Sequence, residues 1–413
     1  MPYTVAGIDI HKKVLMVVVV KQMDGGTEEL QRCRFGTGTS ELRRLTAWLR
    51  EQAVEEAVME STAQYWKPVW YELEPHLRLQ LAQAFSNRAP RGRKHDFKDA
   101  ERLARRLLAE ELILSFVPPP EQRAWRMLTR TKVQLARDRV RLHNQLEGLL
   151  EEMRIKLSSV LSDLLGLSGL RILRALADGE SDAKKLAALG DDRLHCSQEQ
   201  LEDALRGTFQ AMHQQLLKLY LDRLQLLDQQ MAELNLATAE AMRAHGEAVA
   251  RLAEVPGFGA DSAQQVIAEV GSEASTFPSA AQLASWVGTN PGRQESAGQN
   301  QSSRSAKGNK YVRRILTEAA QAAVKTKGSH FQVVFRRLLP RLGYKQALWA
   351  IAHRLCRLVW KILHEKVRYI EQGAQRDLKA LKKRMHSMAR SLRQLGYDVN
   401  LEIAPAGSAP ATS

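Results

Sequence analysis

Apolar and polar positions alternate along the first part of the chain, and the period then lengthens. "YTVAGIDI" (3–10) and "VLMVVVVKQ" (14–22) are β-branched runs separated by "HKK", and they read as two strands. "DGG" (24–26) is a turn signal, and "LQRCRF" (30–35) returns as a third strand. "SELRRLTAWLREQA" (40–53) gathers Leu42, Leu45 and Leu49 near one face, which predicts an amphipathic helix capped by Ser40. "EAVME" (56–60) reads as a short strand and "AQYWKPVWYELEP" (63–75) as a helix up to Pro75, with Pro68 restricting its early part. "LRLQLAQAF" (77–85) is a further strand and "DFKDAERLARRLLAEE" (96–111) a further helix.

Beyond "FVPPPEQ" (116–122), where prolines deny helix continuation, the pattern is helical. Leu135, Leu142, Leu146, Leu149, Met153, Leu157 and Val160 recur at sevens, threes and fours. So do Leu216, Tyr220, Leu224, Leu227, Met231 and Leu234. Such spacing fits a coiled coil, an antiparallel helical hairpin or ordinary bundle core. "DGESDAKKLAALGDD" (178–192) reads as a polar connection between the two stretches. "VPGFG" (255–259), followed by a small-residue helix, has the form of a helix-hairpin-helix turn, in which Gly257 and Gly259 let backbone amides approach a phosphate. Read as a helix C-cap, the same turn needs no ligand. Residues 311–370 are helical and basic, and "IAPAGSAPATS" (403–413) has the composition of a disordered tail.

Four segments result: an α/β domain over 1–117, a long helical region over 118–247, a mostly helical domain over 248–372, and a C-terminal helix and tail over 373–413. Strand–strand–strand–helix–strand–helix–strand–helix in the first of them is the ribonuclease H-like order. A length of 413 residues agrees with two or three domains.

The formal net charge of +15 changes the picture, because such an excess favours a polyanionic partner, most often nucleic acid. Cys33, Cys196 and Cys356 are far apart, which excludes a CxxC zinc site or a disulfide framework and fits a reducing cytoplasm. No apolar run has the length of a membrane span, and no secretion signal is expected.

Phosphodiester chemistry at neutral pH is often run by two divalent metals roughly 4 Å apart, held by carboxylates. Asp9 sits within an otherwise apolar strand, where an acid is unfavourable unless paired or metal-bound. Glu60 ends the fourth strand, and Asp96 and Asp99 lie three apart on a helix. Singly, each acid has an ordinary explanation: a turn or salt bridge for Asp9, a helix-terminal acid for Glu60, an N-cap for Asp96. Their order along the chain is that of a RuvC-like nuclease site. Arg91, Arg93 and Lys94 stand next to the Asp-x-x-Asp pair, placed to hold substrate phosphates. In the second half, "RQESAG" (293–298) offers Ser296, with Ser302, Ser303 and Ser305 as alternatives. Lys307, Lys310, Arg313 and Arg314 are candidate phosphate ligands or a solvated helix face. Trp286 and Tyr311 are candidates for core packing or base stacking, and His11 for an orienting role beside Asp9.

"AGIDIHK", "VMEST" and "KHDFKDAERLARRL" resemble the RuvC-like domain of the DEDD transposases of bacterial insertion sequences. "LAEVPGFGADSAQQVIAEVG", "FPSAAQLASWVGTNPG", "ESAGQ" and "SAKGNKYVRRIL" resemble that family's C-terminal transposase domain. The resemblance implies a bridge-RNA-guided recombinase. Its four acids fall on Asp9, Glu60, Asp96 and Asp99, holding Mg²⁺ or Mn²⁺. Its nucleophilic serine, set beyond the Gly288–Pro291 turn, falls on Ser296. Where the family commonly has Ser-Gly-Gly, this chain has Ser296, Ala297 and Gly298. The resemblance further implies donor and target DNA and a noncoding bridge RNA as partners. It also implies a dimer or tetramer in which one subunit's serine completes another's acidic site, and a bacterial cytoplasmic, nucleoid-associated location.

Overall fold

The computed structural model describes residues 3–23, 27–60, 63–84, 96–291, 294–296, 299–302, 305, 307–371, 386 and 389–390, with backbone only at 96, 294–296 and 299–302. The chain divides into two compact units, Met1–Pro119 and Pro120–Ser413.

In the first unit the elements are β1 (Thr4–Ile10), β2 (Val14–Gln22), β3 (Glu28–Gly36), α1 (Thr39–Glu51), β4 (Glu56–Glu60), α2 (Trp66–Leu73), β5 (Arg78–Ala82) and α3 (Asp96–Leu108). They build one five-stranded sheet of order β3-β2-β1-β4-β5. β1, β2 and β3 form an antiparallel meander, and β4 and β5 run parallel to β1. β1 is central and covered on both faces, which is why it reads as a nearly continuous apolar run. Ala6, Ile8 and Ile10 pack with Leu42, Leu45 and Leu49 of α1 and Val69 and Leu73 of α2. Val5, Val18 and Val20 pack on the other face with Ala100 and Ala104 of α3.

Local details differ from the sequence expectation. Ser40 is not the cap of α1: the helix starts at Thr39, Gly38 takes the N-cap without a side-chain bond, and Glu41 accepts from the Gly36 amide at 2.9 Å. α2 starts at Trp66, three residues late, with Pro68 in its first turn, where a missing N–H costs no helical bond. β5 stops at Ala82, and Gln83 donates to the Ile113 carbonyl at 2.9 Å.

The second unit is mostly helical. Its elements are α4 (Pro120–Glu152), α5 (Leu157–Val160), α6 (Leu167–Ala177), α7 (Ala183–Ala187), α8 (Gln198–Ala204), α9 (Ala211–Ala241), α10 (Gly246–Ala253), α11 (Ala260–Val270) and α12 (Ala280–Val287), followed by β6 (Gln294–Ser296), β7 (Gln299–Ser302), α13 (Lys310–Lys325) and α14 (His330–His364). α4 and α9 lie side by side and run antiparallel. Trp125 Nε1 donates to the Ala241 carbonyl at 3.0 Å, and Arg139 Nε meets Asp228 Oδ1 at 2.8 Å. At one end of the pair, Leu142, Leu146, Met153, Leu217 and Leu224 join Ile172, Leu173 and Leu176 in a core that also takes in α5 to α8. The segment read as a polar connection therefore contains a helix: Asp182 caps α7 through the Lys184 amide at 2.9 Å, and Leu186 is fully buried. At the other end, Trp125 enters the larger core formed by α10 to α14. Among the described residues no helix is long and apolar enough to cross a membrane.

Candidate active site

Strand alternation sends Val5, Gly7 and Asp9 to the α3 face of the sheet. The parallel register sets Gly7 beside Val58 and Ile8 beside Met59, so one step further Asp9 comes level with Glu60. Both carboxylates thus stand at the same end of adjacent strands. α3 runs antiparallel to β1: Glu101 pairs with Arg32 and Arg105 with Glu28, and β3 carries those partners from mid-sheet towards the start of β1. The N-terminal turn of α3, with Asp96 and Asp99, is directed towards the end that bears Asp9. Gly7 makes this seating possible, since a Cβ there would lie 1.9 Å from the Ala100 carbonyl oxygen and 2.8 Å from the Ala104 nitrogen.

Asp9 keeps 19% of its side chain exposed, and His11 Nε2 stands 3.1 Å from its Oδ2, the orienting place the sequence allows for His11. Asp99 Oδ1 lies 3.5 Å from Arg102 Nη2. The Asp96 side chain and residues Arg91, Arg93 and Lys94 lie outside the described residues. Among the described residues no three His, Cys, Asp or Glu side chains close to metal-holding distance. Carboxylate oxygens offered by β1, β4 and α3, with no thiolate among them, are nonetheless the donor type of a hard divalent cation, and the acidic end of the sheet fits one chemically.

Ser296 belongs to the second unit. It is the last residue of β6, not part of an irregular loop, and pairs with Gln299 at the final rung of the β6–β7 ladder. Ala297 and Gly298 lie outside the described residues, as does Ser303. The two ends of the chain excursion that carries the hairpin are stapled together. A Cβ on Gly308 would fall 2.1 Å from the Val287 carbonyl oxygen, so only glycine allows that approach. Asn309 N–H donates to the Trp286 carbonyl at 3.3 Å. Arg313 donates to the Gly288 carbonyl and, at 3.3 Å, to Ser305 Oγ. Gly288 takes the left-handed conformation that ends α12, with φ of 75°.

Of the candidate phosphate ligands nearby, Lys307 and Lys310 are exposed. Arg313 and Arg314 are engaged internally. The Arg313 guanidinium lies 4.5 Å from the Trp349 ring centroid, and Arg314 donates to Glu318 at 2.9 Å and to Gln265 Oε1 at 2.5 Å. Trp286 packs on Phe277 with centroids 5.1 Å apart, and Tyr311 lies under Arg130 at 4.6 Å. Gly257 joins α10 to α11 with φ of 92°, and a Cβ there would fall 2.1 Å from the Ala319 carbonyl oxygen, so close packing on α13 already accounts for this glycine. The Gly259 amide donates to Ser262 Oγ at 2.8 Å.

Sequence reasoning missed the root of the hairpin. Glu269, 2% exposed, accepts two hydrogen bonds from Arg130, at 2.7 and 2.8 Å, and one from Asn309 Nδ2 at 2.8 Å. Asn309 Oδ1 caps α13 through the Tyr311 and Val312 amides. An asparagine just before a helical run is a recognisable cap signal. Its partner Glu269, 40 residues earlier, leaves no local trace.

The first unit thus ends its sheet in carboxylates, and the helical unit carries a rooted polar hairpin. A DEDD transposase family model of the IS110 type, described as Transposase, matches residues 6–155, and one described as Transposase IS116/IS110/IS902 family matches residues 249–335. A probable family 20 transposase of Pseudomonas aeruginosa is 26% identical over 312 residues, covering 75% of this chain and 83% of its own length. A putative transposase of Sinorhizobium fredii is 25% identical over 305 residues, covering 72% and 68%. The chain belongs to the IS110-type DEDD transposases, and it is a DNA transposase enzyme.

Proposed function

We propose that this chain cuts and rejoins donor and target DNA strands of an insertion sequence through a covalent phosphoserine at Ser296. The first segment acts as a RuvC-like domain whose Asp9, Glu60, Asp96 and Asp99 hold Mg²⁺ or Mn²⁺; the helical segments up to residue 372 present the serine. The observation that carries the reading is the register that sets Asp9 level with Glu60 under the acidic first turn of α3. When bound, the divalent ion supplies charge neutralisation at the phosphate and acidifies oxygen ligands.

Ser296 Oγ gives up its proton and forms a bond to phosphorus, while one phosphate–sugar oxygen bond breaks and the leaving oxygen takes a proton. The phosphodiester energy is kept in the Ser296–phosphate ester, so a sugar hydroxyl of another strand reverses the step without external energy. Rooting of the hairpin at Gly308, Asn309 and Arg313 restricts the serine's approach, an orientation effect of the kind that accelerates displacement. His11, with Nε2 3.1 Å from Asp9 Oδ2, orients that carboxylate.

A bridge RNA would supply sequence choice by pairing, with the protein reading backbone and shape. The net charge of +15 suits that load of phosphates. Met212, Leu219 and Leu226, exposed at heptad spacing on α9, support a homo-oligomer in which a serine serves a neighbour's acids. Incubation with end-labelled DNA and Mg²⁺, followed by denaturation, tests the chemistry. Label is expected to stay on the wild-type chain and to be lost from Ser296→Ala. Free hydrolysed ends from both proteins would instead identify a RuvC-like endonuclease that uses water.

A further inference from the structure

α14 carries seven Lys and Arg residues and no Asp or Glu across 35 residues. Indeed the chain has no acid anywhere between Glu318 and Glu365. Elsewhere a number of its cations are paired, as Arg32, Arg105, Arg139 and Arg206 are. Among the described residues, no carboxylate comes within ion-pair distance of Arg336, Arg337, Arg341, Lys345, Arg354 or Arg357. A helix kept on the surface for solubility alone normally intersperses both signs.

The cations are also brought together. Gly343, with φ of 73°, breaks α14 into two helical pieces behind Pro340. Past the break, Arg354, Arg357 and Lys361 follow at i, i+3 and i+7 and share a stripe beside Trp349 and His353. Arg337, from the piece before the break, is near enough for its charge to act on Arg354. Burial holds the Arg354 guanidinium below its ordinary value, and Arg337 adds to that. Burial likewise pulls His353 down, with Arg357 and Arg354 pushing the same way against a contact from Thr289. Mutual repulsion without an anion is an unfavourable arrangement that a polyanion relieves, releasing its own counterions as it binds.

The stripe adjoins the neck of the serine hairpin. His353 Nδ1 stands 3.4 Å from Thr289 Oγ1, and Arg313, which donates to Gly288 at that neck, lies over the Trp349 ring. We propose that the basic face of α14, centred on Arg337, Arg354 and Arg357 and ending at Lys361, whose Nζ lies 4.0 Å from Glu365, is a binding surface for the phosphate backbone of duplex DNA leading to Ser296. The choice of DNA as occupant rests on the proposed role of Ser296; the charge argument does not.

The test uses the full chain and three proteins: Arg337→Gln/Arg357→Gln/Lys361→Gln, a charge-matched control Lys184→Gln/Lys185→Gln/Arg206→Gln on α7 and beside α8, and Ser296→Ala. Fluorescence anisotropy with labelled duplex DNA is read across a salt series, with circular dichroism to confirm folding. The α14 variant is expected to bind about 10- to 100-fold more weakly and to lose about 2 to 3 from the log–log salt slope, since each neutralised phosphate contributes about 0.9. The control is expected to bind as the wild type does. Equal weakening in the control would reduce the effect to net charge and overturn the proposal. So would unchanged binding by the α14 variant, or a loss confined to RNA of the same length. Loss of covalent capture is read separately in Ser296→Ala, so failure of the serine chemistry leaves the α14 result interpretable.

Discussion

The Arg130 guanidinium grips the Glu269 carboxylate through two parallel hydrogen bonds, Nε to Oε1 at 2.7 Å and Nη2 to Oε2 at 2.8 Å, tying α4 to α11 in the helical unit. Asn309, bonded to the same carboxylate, extends the tie to the start of α13 and hence to the base of the serine hairpin. Burial lowers the pKa of Arg130, but the bond to Glu269 and its charge more than compensate, and it ends raised. Arg126, on the same helix, is pushed down to about 10, chiefly by burial. Glu269→Ala leaves the largely buried Arg126 and the partly exposed Arg130 beside no counter-charge, and a cost of about 3 kcal/mol is expected in urea unfolding. Glu269→Gln, which keeps a hydrogen-bonding amide, should lose less. An Ala variant as stable as the wild type would contradict this account.

Gly7 lets α3 rest on β1, and Gly7→Ala must push the helix off by more than an ångström. The expected stability loss is about 1–3 kcal/mol. Strand cleavage should fall further than stability predicts, by about 100-fold, because misplacement of acids by 1 Å carries that order of penalty. Melting temperature and single-turnover cleavage measured together check both parts. Wild-type cleavage in a folded Gly7→Ala protein would separate α3 from the chemistry.

Chelation is expected to abolish DNA cleavage while leaving DNA binding intact, and added Mg²⁺ or Mn²⁺ should restore it. Asp9→Asn and Glu60→Gln should resist that rescue, since each replaces an anionic oxygen of the proposed site. Cleavage by either variant at the wild-type rate under saturating metal would remove that carboxylate from the reaction.

Tyr3 donates its hydroxyl to Glu56 Oε2 at 2.5 Å, and Gln80 donates to the other oxygen at 2.6 Å. Burial first, then the bond to Glu56, pushes the Tyr3 pKa from 10.0 up to about 12. A raised folded-state value means that the neutral hydroxyl is favoured by folding. The stabilisation is complete below pH 10 and disappears as pH rises towards 12. Unfolding free energy followed between those values should fall with pH in the wild type and less so in Tyr3→Phe. Parallel curves would show that the Tyr3–Glu56 bond has no part in alkaline stability.

Most of the first unit was legible because its signals are local. β-branched runs, a proline break and leucines at helical spacing place every strand and helix to within a few residues. Ser40 misled because a serine is only one of several ways to start a helix, and here the backbone leaves the sheet at Gly38 with Glu41 serving the Gly36 amide. The polar 178–192 segment misled because α7 has five residues, too short for periodicity, and its docking through Leu186 is a long-range contact. Lys307, Lys310, Arg313 and Arg314 looked equivalent in sequence. Tertiary contacts divide them, leaving the two lysines exposed and giving the arginines to Gly288, Trp349, Glu318 and Gln265.

By itself the sequence determined which residues can do chemistry and in which elements they lie, since residue type, alternation and helical period are properties of the chain. Only the tertiary structure decided that Asp9 and Glu60 stand level on neighbouring strands, that Gly7 and Gly308 are points of backbone contact, and that Glu269 roots the serine hairpin. Those facts depend on register and packing between segments distant in sequence, and the energy of such contacts resides in pairs of residues, so no single stretch of chain encodes it.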